Sequence, residues 1–170
     1  ETKDVLSLKG EAYFFRAYSY FDLLQLYGDV IITKKPLDIT DPEMKVKRND
    51  RSEVVDLIID DLNHAVENLP AFKELTTEEE GRISKEGAQA FLSRVALYEG
   101  TWQKSRNGNQ NTQRSANLLD IAAKAARTVI DAKYGYTFRL FGTDSETKIL
   151  GDSAQKYMFI LENEKSNPAG

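Results

Sequence analysis

Residues 10–30 read GEAYFFRAYSYFDLLQLYGDV, and the fold turns on how this stretch is read. It has the length of a helix and is closed by Gly28. Before that glycine only Glu11, Arg16 and Asp22 are charged, while Tyr13, Phe14, Phe15, Tyr18, Tyr20, Phe21 and Tyr27 are aromatic. A surface helix needs a polar face, and three charges so widely spread do not make one. The stretch therefore predicts a helix buried among other elements, with Phe15 and Tyr18 in the core. A buried charge without a partner is expensive. Arg16 is accordingly expected to hold a carboxylate or helix-end carbonyls, with Glu11 or Asp22 as local partners and others brought by the fold.

Three more helices follow from patterning. Val54, Val55, Ile58, Leu62, Val66 and Leu69 form an apolar stripe at helical spacing, with Asp50 and Glu53 as a capping box and Pro70 as the stop. A third helix starts at Ser84 as N-cap and carries Ala88, Leu92, Val95 and Ala96 on one side, flanked by Phe91 and Tyr98. A fourth is expected to start near Asn117, with Asp120 in its first turn. There Ala122, Ala123, Ala125 and Ala126 keep one face small enough for a close neighbour. Ile58, Leu62, Leu92, Val95, Ala122 and Ala126 join Phe15 and Tyr18 in the expected core. The pattern is all-α, with antiparallel helix pairs of tetratricopeptide-like layout. Connecting loops of about 20, 13 and 16 residues are longer than the 2–8 usual in bundles and depart from a compact repeat, so the pattern alone gives a loose helical bundle. Beyond Tyr136 the pattern weakens, and KYMFIL (156–161) fits a short strand or a helix start equally well.

At 170 residues the chain is about one domain long. Its net charge of −4 and the mixing of both signs argue against a nucleic-acid footprint. With no cysteine there is no disulfide or thiolate-metal framework. No apolar run reaches the roughly 20 residues of a membrane span. Residues 1–9 mix charged and apolar types, unlike a signal peptide. The chain begins in helix-like sequence and ends in the loop-like NEKSNPAG, so 1–170 is expected to be one helical-repeat domain excised from a longer protein.

The first stretch also resembles the helix that many SusD/RagB-type proteins carry. It matches their Glu-Ala-x-Phe-x-Arg-Ala-x-x-Tyr-Phe pattern and their Gly-Asp-Val-Pro exit, although Ile31 stands where proline is usual. RSEVVDLIIDDLNHAVENLP (51–70), GRISKEGAQAFLSRVALYEGTW (81–102) and LLDIAAKAARTVIDAKYGYTF (118–138) resemble the next three helices in order. The resemblance implies tetratricopeptide-like helix pairs, of which this chain would hold about half. It also implies an outer-membrane lipoprotein that captures oligosaccharides, or sometimes peptides, as the lid of a TonB-dependent transporter barrel. Membrane attachment would then come only through a lipid anchor outside this chain. The alternative is a tetratricopeptide-type adaptor that binds a protein or peptide in a concave groove.

Residues able to carry chemistry are few. His64, the single histidine, has Asp60 four residues before it, which makes two potential metal ligands without a third. Solvation or a salt bridge is the simpler reading. Asp60 and Asp61 are adjacent on a helix and point apart, so they do not form a hydrolytic pair. Glu78, Glu79 and Glu80 read as a solvated run. No catalytic residue, cofactor or metal is expected. Trp102, the only tryptophan, follows the third helix directly and precedes a polar stretch with Asn107 and Asn109. An indole can cover the apolar face of a sugar while amides bond its hydroxyls, so Trp102, Asn107 and Asn109 are the candidate carbohydrate-binding residues. The competing role for Trp102 is to anchor the end of the third helix on the core, which the resemblance favours. By the same resemblance, most sugar-stacking aromatics lie outside the helical half.

Overall fold

In a computed structural model of the chain, residues 2–79, 81–106 and 112–138 are described, apart from the side chains at 43 and 44. Four helices dominate: α1 (Lys3–Tyr27), α2 (Arg51–Asn68), α3 (Lys85–Arg106) and α4 (Thr112–Ile130). Short 3-10 turns lie at Pro42–Lys45, Phe72–Glu74 and Thr77–Glu79. Among the described residues there is no strand, and Val30 and Asn49 make an isolated antiparallel bridge. The four helices belong to one compact unit ending at Tyr136, and a second unit runs over residues 137–170, of which 137–138 are described.

Contacts along the helices fix their directions. Gly10 packs on Leu69, Arg16 bonds Asp61, and Leu24 accepts from Arg51, so α1 and α2 run antiparallel. The α3–α4 pair is antiparallel by the same logic. Ser115 Oγ donates to Gly100 O at 2.8 Å and Ser93 Oγ to Ala122 O at 2.9 Å. Phe14 and Phe21 of α1 meet Phe91 and Tyr98 of α3 in matching order, so the first helices of the two pairs lie parallel. This is the tetratricopeptide-like arrangement that the family resemblance implies.

Local sequence explains the ends. Gly28 closes α1 at φ 71°, donating its N–H to Leu24 O. Asp50 N donates to the Glu53 carboxylate at 3.2 Å, the back-bond of the expected capping box. Ser84 starts α3, its hydroxyl accepting from Gly87 N at 3.2 Å. Small residues mark the close crossings. A Cβ on Gly10 would lie 2.8 Å from Leu69 Cγ, and one on Gly100 would lie 3.0 Å from Leu119.

Ile58, Leu62, Leu92, Val95 and Ala122 are buried as expected. Phe15 and Tyr18 are not: they are 54 % and 46 % exposed. The buried side of α1 is Ser7, Gly10, Phe14, Ala17, Tyr20, Phe21 and Leu24, a stripe at three- and four-residue steps that leaves Phe15 and Tyr18 off its line. Because α1 packs on one side only, its apolar outer residues stay exposed. Ala126 is half-buried. Two helix boundaries also differ. α3 continues through Trp102 to Arg106, so Trp102 lies inside the helix. α4 begins at Thr112, ahead of Asn117. Its polar first turns have little intrinsic helix preference, but tertiary bonds from Arg114 and Ser115 hold them. Residues 156–161 fall outside the described part.

Candidate functional site

The charged side chain expected to need a partner has one. Arg16 forks onto Asp61, with Nε to Oδ2 at 2.7 Å and a terminal nitrogen to Oδ1 at 2.6 Å. Asp61 is fully buried. Its hydrogen bonds raise the Arg16 pKa against the opposing effect of burial. Neither Glu11 nor Asp22 takes this role. Glu11 instead accepts from Arg82 at 2.7 Å.

Arg51, which no sequence pattern singles out, is the second hub. It begins α2, and its backbone N–H is capped by Asp29 Oδ1 at 2.9 Å. Its guanidinium donates to both oxygens of buried Glu99 and to the Leu24 carbonyl. Gln103 donates to Glu99 Oε1 at 2.6 Å. The Trp102 ring lies over this guanidinium, 4.0 Å from centroid to Cζ. Glu99 and Gln103 are spaced one helical turn apart, so both reach the same point. One face of the half-buried indole is thus occupied by Arg51. Asn107 and Asn109, the other sugar-contact candidates, lie outside the described residues.

His64 stands half-exposed on α2 between the carboxylates of Asp60, at 3.7 Å, and Glu67, at 3.3 Å, with its ring 5.0 Å from Tyr13. Among the described residues no cluster of three His, Cys, Asp or Glu is placed to hold a metal ion. Glu78 is exposed, Glu79 accepts from Thr76, and Glu80 lies outside the described residues.

Two hollows remain. The larger lies between α2 and α4, about 610 Å³, with Asp56, Asp60, Asn63, Gln113, Arg114 and Asn117 on its walls. Part of its polar lining is committed within the groove: Arg114 bonds Asp56 at 2.7 Å and Gln113 bonds Asn117 at 2.8 Å. The smaller, about 250 Å³, lies between α1 and α3. Of its aromatic members, Tyr18 is one the sequence places in the core, and Phe91 and Tyr98 are the expected flanks of the third helix.

Comparison with known proteins adds to this geometry. Residues 1–97 match the SusD-like family described as starch-binding and associating with the outer membrane. A SusD-like protein of Bacteroides ovatus is 29% identical over 121 residues, spanning 71% of this chain and 20% of the relative. SusD-like protein P38 of Formosa agariphila is 36% identical over 90 residues, 52% of this chain and 17% of the relative. Among solved structures, a SusD-like protein of Bacteroides fragilis superposes with a TM-score of 0.65 at 31% identity, covering 84% of this chain and 23% of that one. A laminarin-binding SusD-like protein gives a TM-score of 0.61 at 27% identity, over 82% and 27% of the two chains. The chain therefore spans about a fifth of the length of the curated relatives it matches.

Proposed function

This chain belongs to the SusD-like family, and we propose that it is the helical scaffold of a protein that captures oligosaccharides at the bacterial outer-membrane surface. The observation that carries the reading is the family match across residues 1–97, which includes α1, α2 and most of α3. Similarity to a laminarin-binding protein supports a neutral glucan as ligand. In this reading the chain binds and presents, and does not hydrolyse. Of the buried carboxylates, Asp61 and Glu99 are each tied to an arginine and Glu86 accepts the Phe72 N–H, so each has a structural partner rather than a second carboxyl for acid–base work. The lipid anchor belongs to the remainder of a longer protein, and the partner is a TonB-dependent transporter. Residues 1–170 act as one helical-repeat part of that assembly. Trp102 remains a sugar platform through the ring face that Arg51 does not cover, with Asn107 and Asn109 as hydroxyl partners.

The test has two arms. Calorimetric titration with maltohexaose and laminarihexaose should show binding without turnover, and release of any shorter oligosaccharide would refute the binding role. Affinity capture from outer membranes should bring down a TonB-dependent barrel, and its absence would remove the transporter partnership. A tetratricopeptide-type adaptor is the second reading, favoured by the groove between α2 and α4 with its polar residues at helical offsets.

A further inference from the structure

The hollow between α1 and α3 is built from two facing stripes. Tyr18, Asp22 and Gln25 sit at i, i+4 and i+7 on α1, and Phe91, Arg94 and Tyr98 at i, i+3 and i+7 on α3. Phe91 is fixed from below, edge-on to Phe21 at 90° with centroids 5.5 Å apart. Tyr18 stacks beside it at 28° and 5.5 Å, and stays 46 % exposed. The floor is therefore a preset aromatic surface open to water. Asp22, Gln25 and Arg94 rim it, all exposed, and none makes a hydrogen bond or ion pair with another described residue. The α2–α4 groove differs, since Arg114 there bonds Asp56 and Gln113 bonds Asn117.

We propose that this α1–α3 trough is a subsite for one neutral pyranose ring of an oligosaccharide. Aromatic faces cover the apolar C–H surface of a sugar. A carboxylate accepts, a guanidinium donates in a fork, and an amide does both, which together suit adjacent hydroxyls. Asp22 and Arg94 oppose each other in sign, so an anion or a cation would meet one like charge, whereas an uncharged polyol meets none. The volume of about 250 Å³ is below the roughly 300–1,000 Å³ of sites for drug-sized ligands, which fits a single ring and weak, millimolar affinity. The inference rests on the oligosaccharide-capture reading and locates a contact for it away from Trp102.

The test is nuclear magnetic resonance titration of the 170-residue chain with maltohexaose and with laminarihexaose. Signals of Tyr18, Phe91 and Arg94 should shift saturably with at least one of them. Tyr18→Ala and Arg94→Ala should each weaken binding about tenfold or more, with the helical fold retained in both and melting unchanged for Arg94→Ala. Tyr18→Phe, which keeps the ring, should stay within about threefold of the parent, and Lys124→Ala on exposed α4 should match it. Saturable binding that both alanine variants leave intact overturns the trough and leaves the capture reading standing. No shift at the trough with either glycan, the result expected if polypeptide covers it instead, also overturns the proposal, while capture by the whole outer-membrane assembly keeps its own test.

Discussion

Helix α3 sets an arginine beside aromatic rings twice, with opposite consequences. At its C-terminal end Trp102 covers Arg51, whose three guanidinium nitrogens each donate to Glu99 or to the Leu24 carbonyl. In its middle Arg94 stands beside Phe91 and Tyr98 with its donors uncommitted. The first arrangement is turned inward. Arg51 ties the end of α1 and the start of α2 to α3, and desolvation of Glu99 makes each bond matter. The second is turned outward, where water satisfies the charge and the fold asks nothing of it. The same residue types can thus serve as a rivet or as an open surface, and burial of the partner carboxylate decides which.

Substitutions can break this contrast, beginning with the largest effect. Arg51→Ala strands fully buried Glu99 and should cost about 3–5 kcal/mol in denaturant unfolding; a loss under 1 kcal/mol would erase the distinction. Arg16→Ala strands buried Asp61 and should cost about 3 kcal/mol, while Arg16→Met should recover about 1 kcal/mol of this by preserving stem packing. Trp102→Ala removes a half-buried ring and a desolvated cation–π contact, for about 2–3 kcal/mol. Arg94→Ala should stay within about 0.5 kcal/mol of the parent, and a larger loss would mean that Arg94 is also a rivet. The smallest effect belongs to Glu79, whose carboxyl is held below its ordinary pKa chiefly by the Thr76 backbone N–H and hydroxyl. A depressed pKa means that its contribution is present above the ordinary carboxylate range and lost as pH falls through the lower, folded value. Glu79→Gln should therefore melt slightly below the parent at neutral pH, with the difference vanishing in acid.

The helices and most of the core were legible because Val54, Ile58, Leu62, Leu92 and Val95 follow one period with few distractors. α1 misled because it is apolar on every side. Aromatic content drew Phe15 and Tyr18 inward, while the true stripe is marked by the small residues Ser7, Gly10 and Ala17, which carry weak hydrophobic signals. The start of α4 was hidden because Thr112–Asn117 is polar and is held by bonds to distant residues. Arg16 could be read as needing a partner, but Asp61 is 45 positions away and no local rule points to it. Arg51 offered no sign at all, since an arginine at a helix start looks solvent-facing. The trough needs two helices side by side, a relation set by tertiary packing.

The connection from α1 to α2 is fastened close to both ends. Asn49 donates its N–H to Val30 O and accepts from Ile32 N with its side chain, both at 2.9 Å, while the Tyr20 hydroxyl holds Thr33 N at 2.7 Å. The intervening turn, with Asp38, Ile39 and Thr40 exposed, is consequently insulated from the helices it joins. Each doubling of such a loop costs only about 0.6 kcal/mol in closure entropy. A peptide tag or fluorophore could be spliced at Ile39 without loosening the scaffold, which makes this turn the natural place to attach a reporter.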